Sequence, residues 1–249
     1  MTKNYNKVGI VGMPPLKVIR ELNACNTVIH DLDTPMIKAD IELTAPYLPR
    51  VYCAVLRTVV LNALHLSLDA IYIDVGPGKC DCALHVATVL KDTLAIPVYK
   101  TRNEDMAGFG TPVCRSKMGL LQKFEQITEG VKSVKTPDKS PSPCKPTAGF
   151  WGVPPRDFSI LELFPDTTHI YGWTRCMENK TPADHDLELY CNKDIPTVFY
   201  AQSFCAKTAL ARHLAIRHPH GLYLDSDVTA GGSAKAKIQA FLELSGVDL

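Results

Sequence analysis

LDAIYIDVGPGKCDC, residues 68–82, is the stretch on which the reading of this chain turns. It opens on an apolar, β-branched and aromatic run, Ile71-Tyr72-Ile73, of the kind that fills a buried strand. It breaks at Gly76-Pro77-Gly78 and delivers Cys80 and Cys82 just where a helical pattern starts at Ala83. In open α/β sheets ligands sit outside the carboxyl ends of the strands, so thiols on such a turn stand where chemistry is usually done. Residues 195–207, IPTVFYAQSFCAK, repeat the arrangement: a short apolar run, a turn, Cys205, and a helix opening at Thr208.

Working outward, the chain reads as strands alternating with helices, which predicts βαβ units and parallel sheets. The first half gives strand 7–12, helix 16–22, strand 27–31, helix 50–66, the central strand, helix 83–94 and strand 96–99. The opening motif then returns. Gly149-Phe-Trp-Gly-Val-Pro-Pro155 matches Gly9-Ile-Val-Gly-Met-Pro-Pro15 at an offset of 140 residues, with both glycines and both prolines kept. Two copies point to a duplicated α/β half rather than to a solenoid. The second copy is expected to run strand 149–152, helix 156–163, strand 168–172, a loop carrying Cys176, a polar helix 182–191, strand 196–200, helix 206–217, strand 221–225 and helix 233–244. The expected fold is α/β: two Rossmann-like halves with parallel sheets, related by a pseudo-twofold, over residues 1–105 and 147–249. Residues 106–146 connect them, with a helix over 117–131. The Pro-, Ser- and Lys-rich run 132–147 reads as a linker or mobile loop.

Composition narrows the partners. With 27 basic against 26 acidic residues and 46% apolar residues, the chain can bury a substantial core and carries no basic arm or stripe. No nucleic-acid partner and no membrane are expected. The longest apolar runs fall short of the ~20 residues of a spanning helix. The N-terminus enters a strand pattern at once, which leads us to expect a cytoplasmic protein. Nine cysteines in such a chain argue for reduced thiols rather than a disulfide framework. Cys25 and Cys191 read as structural. Cys53 falls in the first turn of helix 50–66, where helix N–H groups should lower a thiol's pKa.

Cys80, Cys82, Cys176 and Cys205 all follow predicted strands, and thiols gathered at one sheet edge admit three chemistries. They could hold an iron–sulfur cluster, whose usual ligands are thiolates. Cys80 or Cys82 could face Cys205 as acid and base thiols, as in two-thiol racemases of the aspartate/glutamate type. Or they could join His85 or His213 as a zinc or metallocluster carrier. Gly76-Pro-Gly-Lys79 lacks the spacing of a Walker motif, and Gly9-x-x-Gly12 lacks the third glycine of a dinucleotide fingerprint.

These residues together resemble the 2-hydroxyacyl-CoA dehydratase and benzoyl-CoA reductase subunits. The resemblance rests on Val8–Leu22, on Leu48-Pro-Arg-Val-Tyr-Cys53 with Arg57, on Leu68–Ile71 leading to Cys80-Asp81, on Tyr171–Cys176, on Ala201-Gln-Ser-Phe-Cys205, and on the closing strand and helix. It implies a [4Fe-4S] cluster on Cys53, Cys80 and Cys205, with Cys82 and Cys176 as understudies. It also implies low-potential reductive or dehydrating radical chemistry on a small acid or its CoA thioester. A dimer, homo- or heteromeric, and an ATP-dependent electron-donating activator are the partners it implies. The small-molecule substrate is expected near Pro14, Pro15, Pro154, Pro155 and Arg175, with Lys79, Ser203 and Lys207 as groups supporting the cluster. The chain is shorter than typical members, chiefly between the halves, and Ala206 follows Cys205 where some members carry His.

Overall fold

Apolar runs buried on both faces and amphipathic helices laid over them build two sheets of one pattern. The computed structural model describes residues 4–106, 113–134, 141–182, 185–227 and 230–248. The first half comprises β1 (Lys7–Val11), α1 (Leu16–Ala24), β2 (Val28–Asp31), α2 (Ala54–His65), β3 (Ala70–Asp74), α3 (Asp81–Thr93) and β4 (Val98–Thr101). Helix α4 (Leu120–Val131) lies in the connection. The second half comprises β5 (Gly149–Gly152), β6 (His169–Tyr171), α5 (Trp173–Asn179), α6 (His185–Leu189), β7 (Thr197–Gln202), α7 (Lys207–Arg217), β8 (Gly221–Ser226) and α8 (Gly232–Leu244).

Both sheets are four-stranded and parallel, in the orders β2-β1-β3-β4 and β6-β5-β7-β8. The repeated glycine motif therefore opens the same strand in each half, second in its sheet and flanked by the second and third strands of its half. Register follows suit, with Gly9 opposite Ile71 and Gly149 opposite Thr197. β5 and β7 are buried throughout, and β1 is buried beyond Lys7, as expected for parallel strands covered on both faces. The motif's last glycine works at two points. Gly12 has φ +73° and turns the chain out of β1, while a Cβ on Gly152 would meet the Tyr200 carbonyl oxygen at 2.5 Å.

One apolar cluster runs from the first sheet through α4 into the second, taking in Ile10, Ile19, Phe124, Phe150 and Tyr200. Phe124 meets Phe150 edge-on at 5.3 Å. A second cluster fills the other face of the first sheet beneath α2 and α3, and a third lies between β5, β7 and α7. Polar ties cross between the halves as well. Arg156 Nη1 donates to Thr58 Oγ1 at 2.8 Å, and Asn103 Nδ2 donates to the carbonyls of Met13 at 2.9 Å and Lys180 at 3.2 Å. Among the described residues no helix is long and apolar enough to cross a membrane.

Several expected elements differ. The helix over 156–163 is a 3-10 segment, Phe158–Leu163, because Asp157 caps it by accepting from both the Ser159 N–H and hydroxyl after two prolines. The helix over 50–66 starts at Ala54, leaving Cys53 as its N-cap rather than in its first turn. The expected loop at 173–176 is α5; of the polar helix expected over 182–191, α6 is seen and ends at Leu189, while residues 183–184 lie outside the described residues. Part of the expected linker, 135–140, lies outside the described residues. Beyond it the chain is pinned: the Cys144 N–H donates to the Arg115 carbonyl at 2.9 Å, and Ser116 bridges Pro143.

Candidate functional site

Three thiols reach one cleft between the halves, each from the start of a helix. Cys53 and Cys80 hold the N-cap positions of α2 and α3, Cys80 in extended conformation, while Cys205 lies just before α7 on the turn leaving β7. That turn is tight: the Cys205 N–H donates to the Gln202 carbonyl at 3.0 Å and Phe204 adopts φ +62°. The Ala54 N–H, next to Cys53, reaches the Ser203 carbonyl at 3.4 Å, so the α2 N-terminus is seated against the β7–α7 turn. Cys53, Cys80 and Cys205 line a single cavity of about 100 Å³, with Lys79, Trp173 and Lys207 on the same wall system.

The Cys53 and Cys205 thiols act on one another across the cleft and divide their acidity unequally. Cys205 is pulled down to about 7, first by the Cys53 hydrogen bond, then by the Lys207 backbone N–H and the Lys207 and Lys79 charges, against the effect of burial. Cys53 is pushed up by its hydrogen bond to Cys205 and by burial, although the Val55 and Leu56 N–H groups of α2 pull the other way. Of the two, Cys205 is the more acidic thiol and Cys53 the less acidic. This corrects the expectation that the helix N-terminus would make Cys53 the acidic thiol: the helix does act, but the hydrogen bond to Cys205, and next burial, outweigh it. Burial raises Cys80.

The remaining expected residues divide between the cleft and the core. Lys79, Lys207 and Pro154 line the cavity, whereas Pro14, Pro15 and Pro155 do not. Cys82 turns to Tyr52, whose hydroxyl is pushed up to about 12 by burial and that contact. Cys176 lies inside α5 and is fully buried in the shared apolar cluster, away from the cavity lining. The structure does not bring it to the cavity that the three thiols line. Arg175 is likewise spent within α5: Nη1 bonds Glu178 Oε2 at 2.7 Å and Asn179 Oδ1 at 2.9 Å. Both corrections have one cause, since residues read as a loop are helical and their side chains point where the helix sends them. Ser203 donates from N and Oγ to the Ser226 carbonyl and holds the turn rather than facing the cavity. His85 and His213 are exposed on α3 and α7, and His213 bonds Arg217 at 2.9 Å. Neither joins the thiols.

Two cavity residues escaped the sequence reading. Asp31, at the carboxyl end of β2, is 4% exposed; its Oδ1 accepts the Asp33 N–H at 3.1 Å and its Oδ2 has no partner. Burial, and next the Asp33 charge, push its carboxyl up to about 8. Trp173, the first residue of α5, carries two ammonium groups against its ring, Lys79 Nζ 4.7 Å and Lys207 Nζ 5.0 Å from the centroid. The position of Asp31 at a predicted strand end was a usable signal, since that is where α/β sites lie. For Trp173 no comparable signal existed.

Among the described residues no three Cys, His, Asp or Glu side chains gather around the position of a single metal ion. Compared with known protein families, curated proteins and solved structures, the chain matches none.

Proposed function

We propose that the cleft holds a [4Fe-4S] cluster on Cys53, Cys80 and Cys205, and that the protein uses it for low-potential reductive or dehydrating chemistry on a small acid or its thioester. The observation that carries this reading is the convergence of three thiols from three separate turns on one cavity. The donor set suits the group, because thiolates are the usual ligands of such clusters and a water-poor pocket tunes their potential. To take up iron, Cys53 and Cys205 would give up their mutual hydrogen bond. Cys205, already the more acidic thiol, would be the readier ligand. Bound on three thiolates, such a cluster supplies low-potential electrons and one iron free of protein ligation.

The protein's own share of that chemistry is electrostatic and steric. Lys79 and Lys207 place positive charge beside Cys205, and the apolar side chains of Val11, Leu56, Val153 and Met177 keep the cavity poor in water. By the family resemblance the working assembly would be a dimer fed by an ATP-dependent electron donor. The two-thiol reading, which pairs Cys80 or Cys82 with Cys205, would need only two of these thiols and leaves the convergence of Cys53 on the same cavity without a role.

The test is anaerobic reconstitution with iron and sulfide. Wild-type protein should turn brown and carry about four irons and four sulfides per chain, as one such cluster requires. Cys53→Ser, Cys80→Ser and Cys205→Ser should each lose the colour while keeping the far-ultraviolet dichroism of the folded chain. Cys25→Ser, at an exposed helix end, and Cys191→Ser should keep it. A colourless wild type, or bleaching by Cys25→Ser as complete as by Cys80→Ser, would overturn the assignment.

A further inference from the structure

The cleft has a second wall, beside Cys205, built on Lys79, Lys207, Trp173 and Asp31. Lys79, from the β3–α3 turn, and Lys207, from the start of α7, occupy matching places in the two halves and rest on the one Trp173 ring. Lys207 is also paired with Glu188, whereas Lys79 has no carboxylate within ion-pair distance among the described residues. The two ammonium groups are held on one ring, with Glu188 paired to Lys207, while the cavity-lining carboxylate of Asp33 is turned to the Gly12 N–H at 2.6 Å. Asp31 adds a donor. Its carboxyl, held near 8, carries a proton at neutral pH, and because Oδ1 accepts from Asp33 the proton belongs on the partnerless Oδ2. A buried O–H without an acceptor is costly, and native structures normally satisfy it.

We propose that this wall is a binding subsite for a small carboxylate, clamped by the Lys79 and Lys207 ammonium groups and hydrogen-bonded by Asp31. The proposal rests on taking this cleft as the working site and names the class of molecule it accepts, but it does not require iron. Two ammonium groups and one O–H match the oxygens of a single carboxylate, and the apolar floor of Val11, Leu56 and Val153 suits a short hydrocarbon body. The cavity volume of about 100 Å³ has room for an acid of a few carbons. A phosphate would bring three charged oxygens onto a floor that is largely apolar.

Trp173 is one of only two tryptophans, and the other, Trp151, is fully buried in the second half. Its emission is therefore a reporter of the subsite, read in iron-free, reduced protein so that failure here is separate from failure to bind iron. Titration with propionate should give a saturable change that propionamide does not give, and Trp173→Phe should abolish it. Lys79→Gln and Lys207→Gln should each weaken propionate binding by about tenfold or more, the usual worth of a charge-assisted hydrogen bond. Lys91→Gln, on the exposed side of α3, should not. Asp31→Leu should weaken it, and Asp31→Asn, which keeps a donor, should restore it. Thermal melts accompany each variant, so that weakening is counted only in protein that melts as wild type does. Absence of a saturable response in wild-type protein overturns the proposal, as does an equal response to propionamide. Binding of inorganic phosphate as tight as propionate and with the same lysine dependence would also overturn it, since the site would then read only charge.

Discussion

Asp31→Asn isolates the most perturbed carboxyl facing the cleft, and its consequence is a pH dependence of stability whose size follows from burial. In the folded chain the carboxyl is held at about 8, against 3.8 ordinarily, chiefly because its charged form is stripped of water and secondarily because Asp33 lies beside it. Between those two values the native state keeps a proton that the unfolded chain releases, so stability falls as pH rises. The contribution is fully present below about 3.8 and is lost as pH rises through about 8. Carrying the carboxyl across that interval corresponds to on the order of 5 kcal/mol, an upper figure because Lys79 and local rearrangement soften the charge. The asparagine keeps the acceptor for the Asp33 N–H and cannot ionise. Urea unfolding of iron-free, reduced protein should find variant and wild type within about 2 kcal/mol at pH 5. By pH 9 the variant should be the more stable by several kcal/mol. Titration of Cys205 is common to both proteins and cancels in the difference. A difference that stays constant from pH 5 to pH 9 would mean that Asp31 ionises normally, and the argument for a protonated donor in the cleft would fall with it.

Two further outcomes follow from the thiol pair and from the turn after β1. Alkylation by iodoacetamide, followed at Cys205 by mass spectrometry, should rise with pH through a midpoint near 7; Cys53→Ala removes the largest cause of that acidity and should move the midpoint upward. A midpoint indifferent to Cys53→Ala would show that the two thiols do not act on one another. Gly12→Ala places a Cβ at φ +73° and directly on the Lys79 ammonium. It should destabilise the protein by about 1–2 kcal/mol and weaken propionate binding by displacing Lys79, both read in the same fluorescence and unfolding assays.

Much of the fold could be read in the chain because its signals are local. Strand runs such as Ile71-Tyr72-Ile73, the prolines at 14–15 and 154–155, and the spacing of the glycine motif each report on a few neighbouring residues, and the sheets repeat what the motif repeats. The thiols of the cleft were legible for the same reason: a cysteine just after a strand-and-turn pattern must lie at the strand's carboxyl end. Local signals fail where a distant contact decides. Arg175 looked available until α5 turned it toward Glu178, and Cys176 looked exposed on a loop until that loop proved helical and buried it. The acidity of Cys53 was misjudged because its partner, Cys205, lies across the cleft in the other half. Asp31 was passed over because nothing in its neighbourhood, TVIHDLD, announces that one oxygen will be left without a partner.

Duplication explains why the cleft exists, and departure from duplication explains why its two turns are chemically unequal. A twofold pair of α/β halves brings equivalent turns face to face, and Lys79-Cys80 and Cys205-Ala-Lys207 are those turns, each following the third strand of its half. Strict symmetry would give two thiols and two lysines in matched surroundings, with nothing to favour one sulfur over the other. Three departures break the tie. Cys53 arrives on α2, whose counterpart position in the second half is filled by the short α5 and α6. Its hydrogen bond selects Cys205 as the thiolate over Cys80, which burial raises. Trp173 comes only from the second half and gathers both lysines, and Asp31 comes only from the first and opposes them. The cleft is thus polarised, with one acidic thiol flanked by cations and one neutral carboxyl left with a free oxygen, and a bound anion would be oriented by that polarity rather than merely held.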